Sequence, residues 1–87
     1  MAIEAHKSQS KRMKIYRNDK LLKALADNVR KHRKLAEISQ EELAFQCEID
    51  RTYISKLERG VANPSLLILA RVAEVLKVGI GDLVKDI

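Results

Sequence analysis

The sequence predicts an all-α fold built from five short helices. Its 87 residues suffice for one domain, and 46% of them are apolar, enough to form a core. Aromatic residues make up only 3%, with three glycines and one proline, whereas an all-β protein needs more aromatic, β-branched and turn-forming residues. Apolar residues also recur every three or four positions, which is the period of an amphipathic helix.

Several functional classes are excluded by what the sequence lacks. It has no apolar run long enough to span a bilayer, and its first residues do not form a secretory signal. The single cysteine, Cys47, cannot form an intrachain disulfide. His6 and His32 are 26 positions apart with no second cysteine near either, so the sequence contains no recognisable metal cluster. No glycine-rich phosphate loop is present. We therefore expect a cytoplasmic protein that is not an enzyme and needs no cofactor.

Charge is distributed unevenly along the chain. Residues 1–34 contain 11 basic and 3 acidic side chains, whereas residues 35–87 contain 6 basic and 9 acidic ones. The asymmetry favours a polyanionic partner, either nucleic acid or an anionic membrane, although a solvated basic tail gives the same counts. Residues 1–17 lack a helical period and are predicted to form a flexible basic arm, with the domain at 18–87. The arm also lacks the apolar stripe that membrane binding requires.

The first two helices are predicted from periodicity and capping. Asn18-Asp19 offers an N-cap for a helix from Lys20 to about Leu35, which places His32 on its outer face. The apolar stripe of this helix comprises Leu22, Leu25, Ala26 and Val29. Arg33 follows on the same side of the helix. Ser39 and Glu42 have the spacing of a capping box, which opens a short helix over about 40–47.

The remaining helices follow the same signals. Asp50 is expected to cap a helix over 51–59, which Gly60 ends in a left-handed conformation. A fourth helix begins at Asn63 or Ser65 and runs to about Lys77. Its predicted inner residues are Leu66, Leu69, Val72, Ala73 and Leu76. A terminal helix over 82–87 is expected to carry Leu83.

Helices 2 and 3 together are typical of a helix-turn-helix, because two short helices are joined by only a few residues. The outward side of helix 3 has only one carboxylate, that of Glu58, which lies at its edge. A solvated structural helix would usually mix acids with bases. The outward residues are Arg51, Thr52, Ser55, Lys56 and Arg59. This cationic face predicts DNA binding.

Residues 29–83 resemble the phage-repressor, Cro-like or Xre-type helix-turn-helix family. The resemblance rests on Val29-Arg30-x-x-Arg33, Ser39-Gln40-Glu41-x-Leu43-Ala44, Arg51-Thr52-Tyr53-Ile54-Ser55-x-x-Glu58-x-Gly60 and Asn63-Pro64-Ser65-Leu66-x-x-Leu69-x-x-Val72-Ala73-x-x-Leu76-x-Val78. The start of helix 3 is especially similar to controller proteins of restriction–modification systems and to plasmid and phage repressors. The implied fold is a compact five-helix lambda-repressor-like DNA-binding domain.

The resemblance also implies roles for individual residues. Gln40 matches a glutamine that meets a phosphate. Arg51, Thr52 and Lys56 match positions that read base edges in the major groove, where arginine is a bidentate donor to guanine. Tyr53, Ser55 and Arg59 match positions that contact the DNA backbone or neighbouring bases. Arg33 and Glu58 match a structural ion pair that holds helix 3 against helix 1.

Structural alternatives remain open for several of these residues. Arg51 could merely be a surface residue of the first helical turn. The hydroxyl of Thr52 could cap helix 3, and the ring of Tyr53 could pack on the core. Lys56 and Arg59 could be solvated charges. Cys47 is expected to be a small core residue and not a redox sensor.

Two departures from the family pattern carry further expectations. Glu37 occupies a position that is commonly glycine, so the turn after helix 1 is either strained or built differently. Apolar residues of helices 4 and 5 exceed what a small domain buries, which favours a homodimer interface. The expected interface residues are Leu67, Ile68, Val84 and Ile87.

The sequence therefore predicts a transcriptional regulator that binds a pseudo-palindromic operator on double-stranded DNA as a dimer, through helix 3. No small-molecule effector is evident. An antitoxin of a toxin–antitoxin pair would use the same helices on DNA and a further surface on its toxin. A protein-interaction adaptor with this fold is disfavoured by the cationic face of helix 3.

Overall fold

The structure, a computed structural model, describes residues 19–86, and this range is helical with no strand. Its five helices are α1 (Asp19–Leu35), α2 (Gln40–Cys47), α3 (Arg51–Glu58), α4 (Leu66–Leu76) and α5 (Ile80–Leu83). The predicted all-α class and the helix-turn-helix at α2–α3 are confirmed. The predicted arm, residues 1–17, lies outside the described residues, and none of the five helices could cross a membrane.

Three helices begin at a residue whose side chain accepts a backbone N–H from the first turn. Ser39 Oγ accepts from the Glu42 N–H over 3.0 Å at α2, and Asp50 Oδ1 accepts from the Thr52 N–H over 3.0 Å at α3. At α4 the cap is Ser65, whose Oγ lies 3.2 Å from the Ile68 nitrogen, so the alternative cap at Asn63 is wrong. These local bonds fix where each helix starts.

The turns that end the helices use left-handed residues. Gly60 has φ 78°, as predicted from its position after α3. Glu37, Glu48 and Lys77 have φ of 59°, 58° and 61°. Of the two possibilities for the turn after α1, the strained one is therefore present at Glu37, since a side chain there opposes the left-handed conformation.

The core lies between α1 and the four shorter helices. Fully buried Val29, Leu43, Ile54 and Leu83 come from four different helices, and α3 packs against both α1 and α2. Two predicted positions are corrected. Leu66 is 70% exposed because nothing in residues 19–86 covers that side of the first turn of α4, and His32 is half-buried and not fully exposed.

The last helix begins and ends earlier than the predicted helix over 82–87. It spans Ile80–Leu83, and Gly79 takes the N-cap position. The carboxylate of Asp82 accepts the Gly79 N–H over 2.9 Å, so Asp82 lies within the first turn and not at the cap. Leu83 is buried, as predicted, and Ile87 lies outside the described residues.

Polar side chains of α1 donate hydrogen bonds to backbone carbonyls of other elements. The Asn28 amide donates to the carbonyls of Leu83 and Lys85, over 2.8 and 3.0 Å, after α5. Arg30 donates to the Glu58 carbonyl at the end of α3, and Arg33 donates to the Ile38 carbonyl in the α1–α2 turn. Because carbonyls at helix ends lack backbone donors, α1 satisfies groups that would otherwise be unpaired and fixes its neighbours along its length.

Candidate nucleic-acid interface

One side of α3 faces solvent and is cationic. Arg51, Thr52, Lys56 and Arg59 are exposed, whereas Ile54 and Leu57 are buried on the opposite side. Glu58 is buried with them, so its predicted place at the edge of the outward face is wrong. The first turn of α3 contains no acidic residue. The first turn of this helix therefore presents donors and positive charge, and the adjoining carboxylate of Asp50 is bonded to the Thr52 N–H.

Thr52 is not the cap of α3. Its backbone N–H donates to Asp50, so Asp50 occupies the N-cap position and the predicted alternative for Thr52 is wrong. The exposed Thr52 side chain carries a hydroxyl and a methyl group at the start of the helix. Both groups can contact base edges, the methyl with a thymine methyl in particular.

Tyr53 and Ser55 occupy the borders of the exposed face, and both are half-buried. The Tyr53 ring packs against the edge of the core cluster, which is the structural alternative raised from sequence.

Gln40 is the first residue of α2, and its side-chain amide already has a protein partner. Its Nε2 donates to Glu58 Oε1 over 3.0 Å. A primary amide has two N–H donors, so one remains for a phosphate near the α2 N-terminus. The sequence did not predict the bond to Glu58, which ties the start of α2 to the end of α3.

The buried carboxylate of Glu58 is the centre of a network. Arg33 donates from Nε to Oε2 over 2.6 Å and from Nη2 to Oε1 over 3.0 Å, and its Nη1 donates to the Ile38 carbonyl over 2.9 Å. The hydrogen bond to Glu58 raises the pKa of Arg33, against the opposing effect of burial. Every buried side-chain polar atom of the described residues has a partner. The network joins α3 to α1 through Arg33 and to α2 through Gln40.

Arg30 adds a contact to which the sequence assigned no role. Its Nη1 donates to the Glu58 backbone carbonyl over 2.9 Å, and its Nη2 donates to Asp27 Oδ1 over 2.8 Å. A signal was present, because Arg30 lies three residues before Arg33 and so on the same side of α1.

The predicted dimer residues differ in exposure. Leu67 is 72% exposed, and Val84 is exposed as well. Ile68 is half-buried and packs against the core, so its contribution to an interface is smaller than expected from sequence. Ile87 lies outside the described residues. The exposed Leu66 adjoins Leu67 and extends the apolar surface.

No group of metal-binding side chains occurs within residues 19–86. Cys47 is buried in the core, as expected, and burial raises the pKa of its thiol against a smaller opposing effect of the Arg71 charge. A buried neutral thiol is a poor nucleophile and a poor metal ligand.

Comparison with known proteins relates this geometry to a family. A family model described as helix-turn-helix matches residues 29–83. The control protein C.BamHI from Bacillus amyloliquefaciens is 48% identical over 46 residues, which are 53% of this chain and 57% of that protein. The match thus spans a little over half of that relative.

Solved structures share the arrangement of helices. The crystal structure of the hypothetical transcription factor NHTF from Neisseria superposes with a TM-score of 0.71 at 42% identity, covering 74% of each chain. The restriction–modification controller protein C.AhdI from Aeromonas hydrophila gives a TM-score of 0.70 at 34% identity, covering 71% of this chain and 94% of that one. The chain therefore belongs to the helix-turn-helix family of DNA-binding transcriptional regulators.

Proposed function

We propose that this protein is a regulator of the restriction–modification controller type, which acts in the cytoplasm and binds a pseudo-palindromic operator as a homodimer. The proposal rests on one observation above others. The exposed side of α3 carries Arg51, Thr52, Lys56 and Arg59, and its buried side is locked by the Glu58 network. A short rigid helix with donors at its N-terminal half suits insertion into the major groove.

In this proposal Arg51, Thr52 and Lys56 read base edges. Arg51 is the first residue of α3, and the N-terminal turn of a recognition helix reaches deepest into the groove. Arginine and lysine both donate to guanine, and arginine does so in a bidentate manner. Each such contact contributes about 1–3 kcal/mol of discrimination against the wrong base.

Gln40, Tyr53, Ser55 and Arg59 position the domain on the DNA backbone. Gln40 offers its second amide N–H at the start of α2, where the helix dipole also favours a phosphate. Arg59 follows the last residue of α3 and is exposed, so it supplies positive charge away from the reading turn. Such contacts fix the register of a protein on DNA without distinguishing sequences.

A dimer is supported by the apolar surface at the start of α4. Leu66 and Leu67 are both at least 70% exposed, and neighbouring Ile68 is only half-buried. Contiguous exposed leucines on a small domain usually mark an interface. A two-fold dimer would present two copies of α3 to two half-sites one helical turn apart, which doubles the contacts available to one short helix.

Selection of bound sequences from random duplex DNA tests the proposal. The expected result is an inverted repeat with half-sites about 10 base pairs apart. An Arg51→Ala, Lys56→Ala double variant serves as the control, because both side chains are exposed and their loss leaves the core intact. This variant is expected to recover no consensus. Random recovered sequences with the wild-type protein would overturn the proposal, and a single unrepeated site would overturn its dimeric part.

A further inference from the structure

The last residue of α3 is held at two points by α1. Arg33 binds the side chain of Glu58, and Arg30 binds its backbone carbonyl, with Nη1 2.9 Å from the oxygen. The Arg30 guanidinium is itself anchored, because Nη2 donates to Asp27 Oδ1 over 2.8 Å. One arginine therefore fixes the carboxylate and the other fixes the main chain of the same residue.

The carbonyl that Arg30 reaches lacks a backbone partner. At the end of α3, the Gly60 N–H donates to the Leu57 carbonyl over 3.2 Å, and the Val61 N–H donates to the Lys56 carbonyl over 3.1 Å. No backbone N–H of the described residues donates to Glu58. Helix C-termini leave such carbonyls unpaired and attract positive charge, so a guanidinium is well suited to this position.

Two attachment points restrict α3 more than one does. The Arg33–Glu58 pair ends on a side chain, whose torsions still allow the helix to turn about the link. A second bond to the main chain removes that freedom. Arg51 lies seven residues from Glu58, about 10 Å along the helix at 1.5 Å per residue. A rotation of about 10° at the C-terminus would thus move the reading turn by about 2 Å, which is enough to break a bidentate base contact.

We propose that Arg30 is a positioning residue for base recognition, which acts by fixing the Glu58 carbonyl and hence the angle at which α3 enters the major groove. This inference rests on the proposed function, since it assumes that α3 reads bases. Arg30 is only partly buried, so a direct phosphate contact is the competing explanation for any loss of binding in its variants. The two explanations differ in their dependence on salt. A phosphate contact contributes to the slope of log affinity against log salt, whereas a positioning contact does not.

The experiment compares Arg30→Met with Lys31→Met. Both changes remove one positive charge from α1, but Lys31 is exposed and makes no hydrogen bond or salt bridge in the described structure. Dissociation constants for the selected operator and for random duplex are measured by fluorescence anisotropy at several salt concentrations. For Arg30→Met, we expect the ratio of operator affinity to random-DNA affinity to fall about five-fold or more. A loss of about five-fold corresponds to the lower end of the discrimination that one base contact provides. The salt slope of Arg30→Met on random DNA should match that of Lys31→Met. The operator preference of Lys31→Met should equal that of the wild type.

A conservative variant keeps the inference testable if Arg30→Met does not fold. Arg30→Lys retains the charge, but a single ammonium nitrogen replaces the planar guanidinium that reaches the Glu58 carbonyl from Nη1 and Asp27 from Nη2. We expect Arg30→Lys to have a lower operator preference than the wild type. If Arg30→Met folds, the preference of Arg30→Lys should lie between those of Arg30→Met and the wild type.

Three results would be decisive against the inference. An operator preference equal to the wild type in the folded Arg30 variants would overturn the positioning role alone. An equal loss of affinity for operator and random DNA, with a salt slope lower than that of Lys31→Met, would assign Arg30 a phosphate contact instead. A wild-type protein without operator preference would overturn the proposed function, and this inference with it.

Discussion

The Arg33 guanidinium and the Glu58 carboxylate form a two-point ion pair, with Nε 2.6 Å from Oε2 and Nη2 3.0 Å from Oε1, which joins α1 to the last residue of α3. Only 13% of the Arg33 side chain and 2% of the Glu58 side chain are exposed. Because both charges are shielded from water, removal of one partner leaves the other buried without compensation. The angle of α3 and the stability of the fold therefore depend on the same pair.

Glu58→Ala should lower the melting temperature sharply. Breaking a buried ion pair from one side costs about 3–5 kcal/mol, and each kcal/mol corresponds to about 4–8 °C in a domain of this size. We thus expect a decrease of about 12 °C or more in thermal unfolding followed by circular dichroism. Arg59→Ala is the matched control, since Arg59 is the next residue and is exposed. Similar melting temperatures for the two variants would mean that the pair contributes little to stability.

The starts of α2 and α3 could be predicted, and the start of α4 could be narrowed to two residues, because these signals are local. Ser39, Asp50 and Ser65 each bond a backbone N–H two or three residues ahead, and such bonds depend on sequence spacing alone. The start of α5 could not be predicted in this way. Its N-cap is Gly79, which has no side chain, and the stabilising bond comes from Asp82 within the first turn.

The burial of individual side chains and their hydrogen-bond partners were less predictable than the positions of the helices. Periodicity assigned Leu66 to the inner side of α4, but periodicity does not show whether another element covers that turn. For Gln40, the resemblance implied a phosphate contact, whereas its amide is also within reach of Glu58, 18 residues away. Contacts of this kind depend on how α2 and α3 pack, which no local pattern encodes.

Replacing Glu37 with glycine should stabilise the protein. Glu37 is exposed and has φ 59°, a conformation that costs an ordinary residue about 1–2 kcal/mol. Glycine relieves that strain but loses more chain entropy on folding, so the expected net gain is up to about 1 kcal/mol. Urea unfolding measures the difference. Glu37→Ala separates strain from charge, because alanine removes the carboxylate and keeps the strain. A gain equal to that of Glu37→Gly would show that the charge, and not the backbone, was responsible.

Cys47 should make stability depend on pH at the alkaline end. Burial raises the pKa of its thiol, so the folded state favours the neutral form. This contribution to stability is complete below the unfolded pKa of about 8.5 and is lost as pH rises through the raised folded value. The free energy of unfolding should therefore fall more steeply above about pH 8.5 for the wild type than for Cys47→Ala. Parallel pH profiles from urea unfolding would contradict this expectation.

Leu67→Glu should convert the proposed dimer into folded monomers. The leucine is 72% exposed, so a carboxylate there leaves the core intact and introduces charge repulsion across a two-fold interface. Ile68 is unsuitable for this test because it packs against the core. Phe45→Glu provides the control, since Phe45 is 79% exposed on α2, outside the proposed interface. Sedimentation equilibrium is expected to give two chains for the wild type and for Phe45→Glu. A wild-type mass of one chain at high micromolar concentration would disprove the dimer.

The final prediction separates base reading from electrostatic attraction. Arg51 lies at the exposed start of α3, whereas residues 1–17 contribute Lys7, Lys11, Arg12, Lys14 and Arg17 without a core pattern. Loss of a bidentate base contact costs about 1–3 kcal/mol, and only at the matching base pair. Loss of a phosphate contact weakens all sequences alike and reduces the salt slope by about 0.9 per contact.

Arg51→Ala should therefore lower the ratio of operator to random-DNA affinity, because it removes a contact that only the correct base pair supplies. Deletion of residues 1–17 should leave that ratio nearly unchanged and flatten the plot of log affinity against log salt. Fluorescence anisotropy at several salt concentrations gives both quantities for each variant. If the deletion selectively abolishes operator preference, these N-terminal residues themselves read bases, as arms that enter a minor groove do, and α3 is not the sole source of specificity.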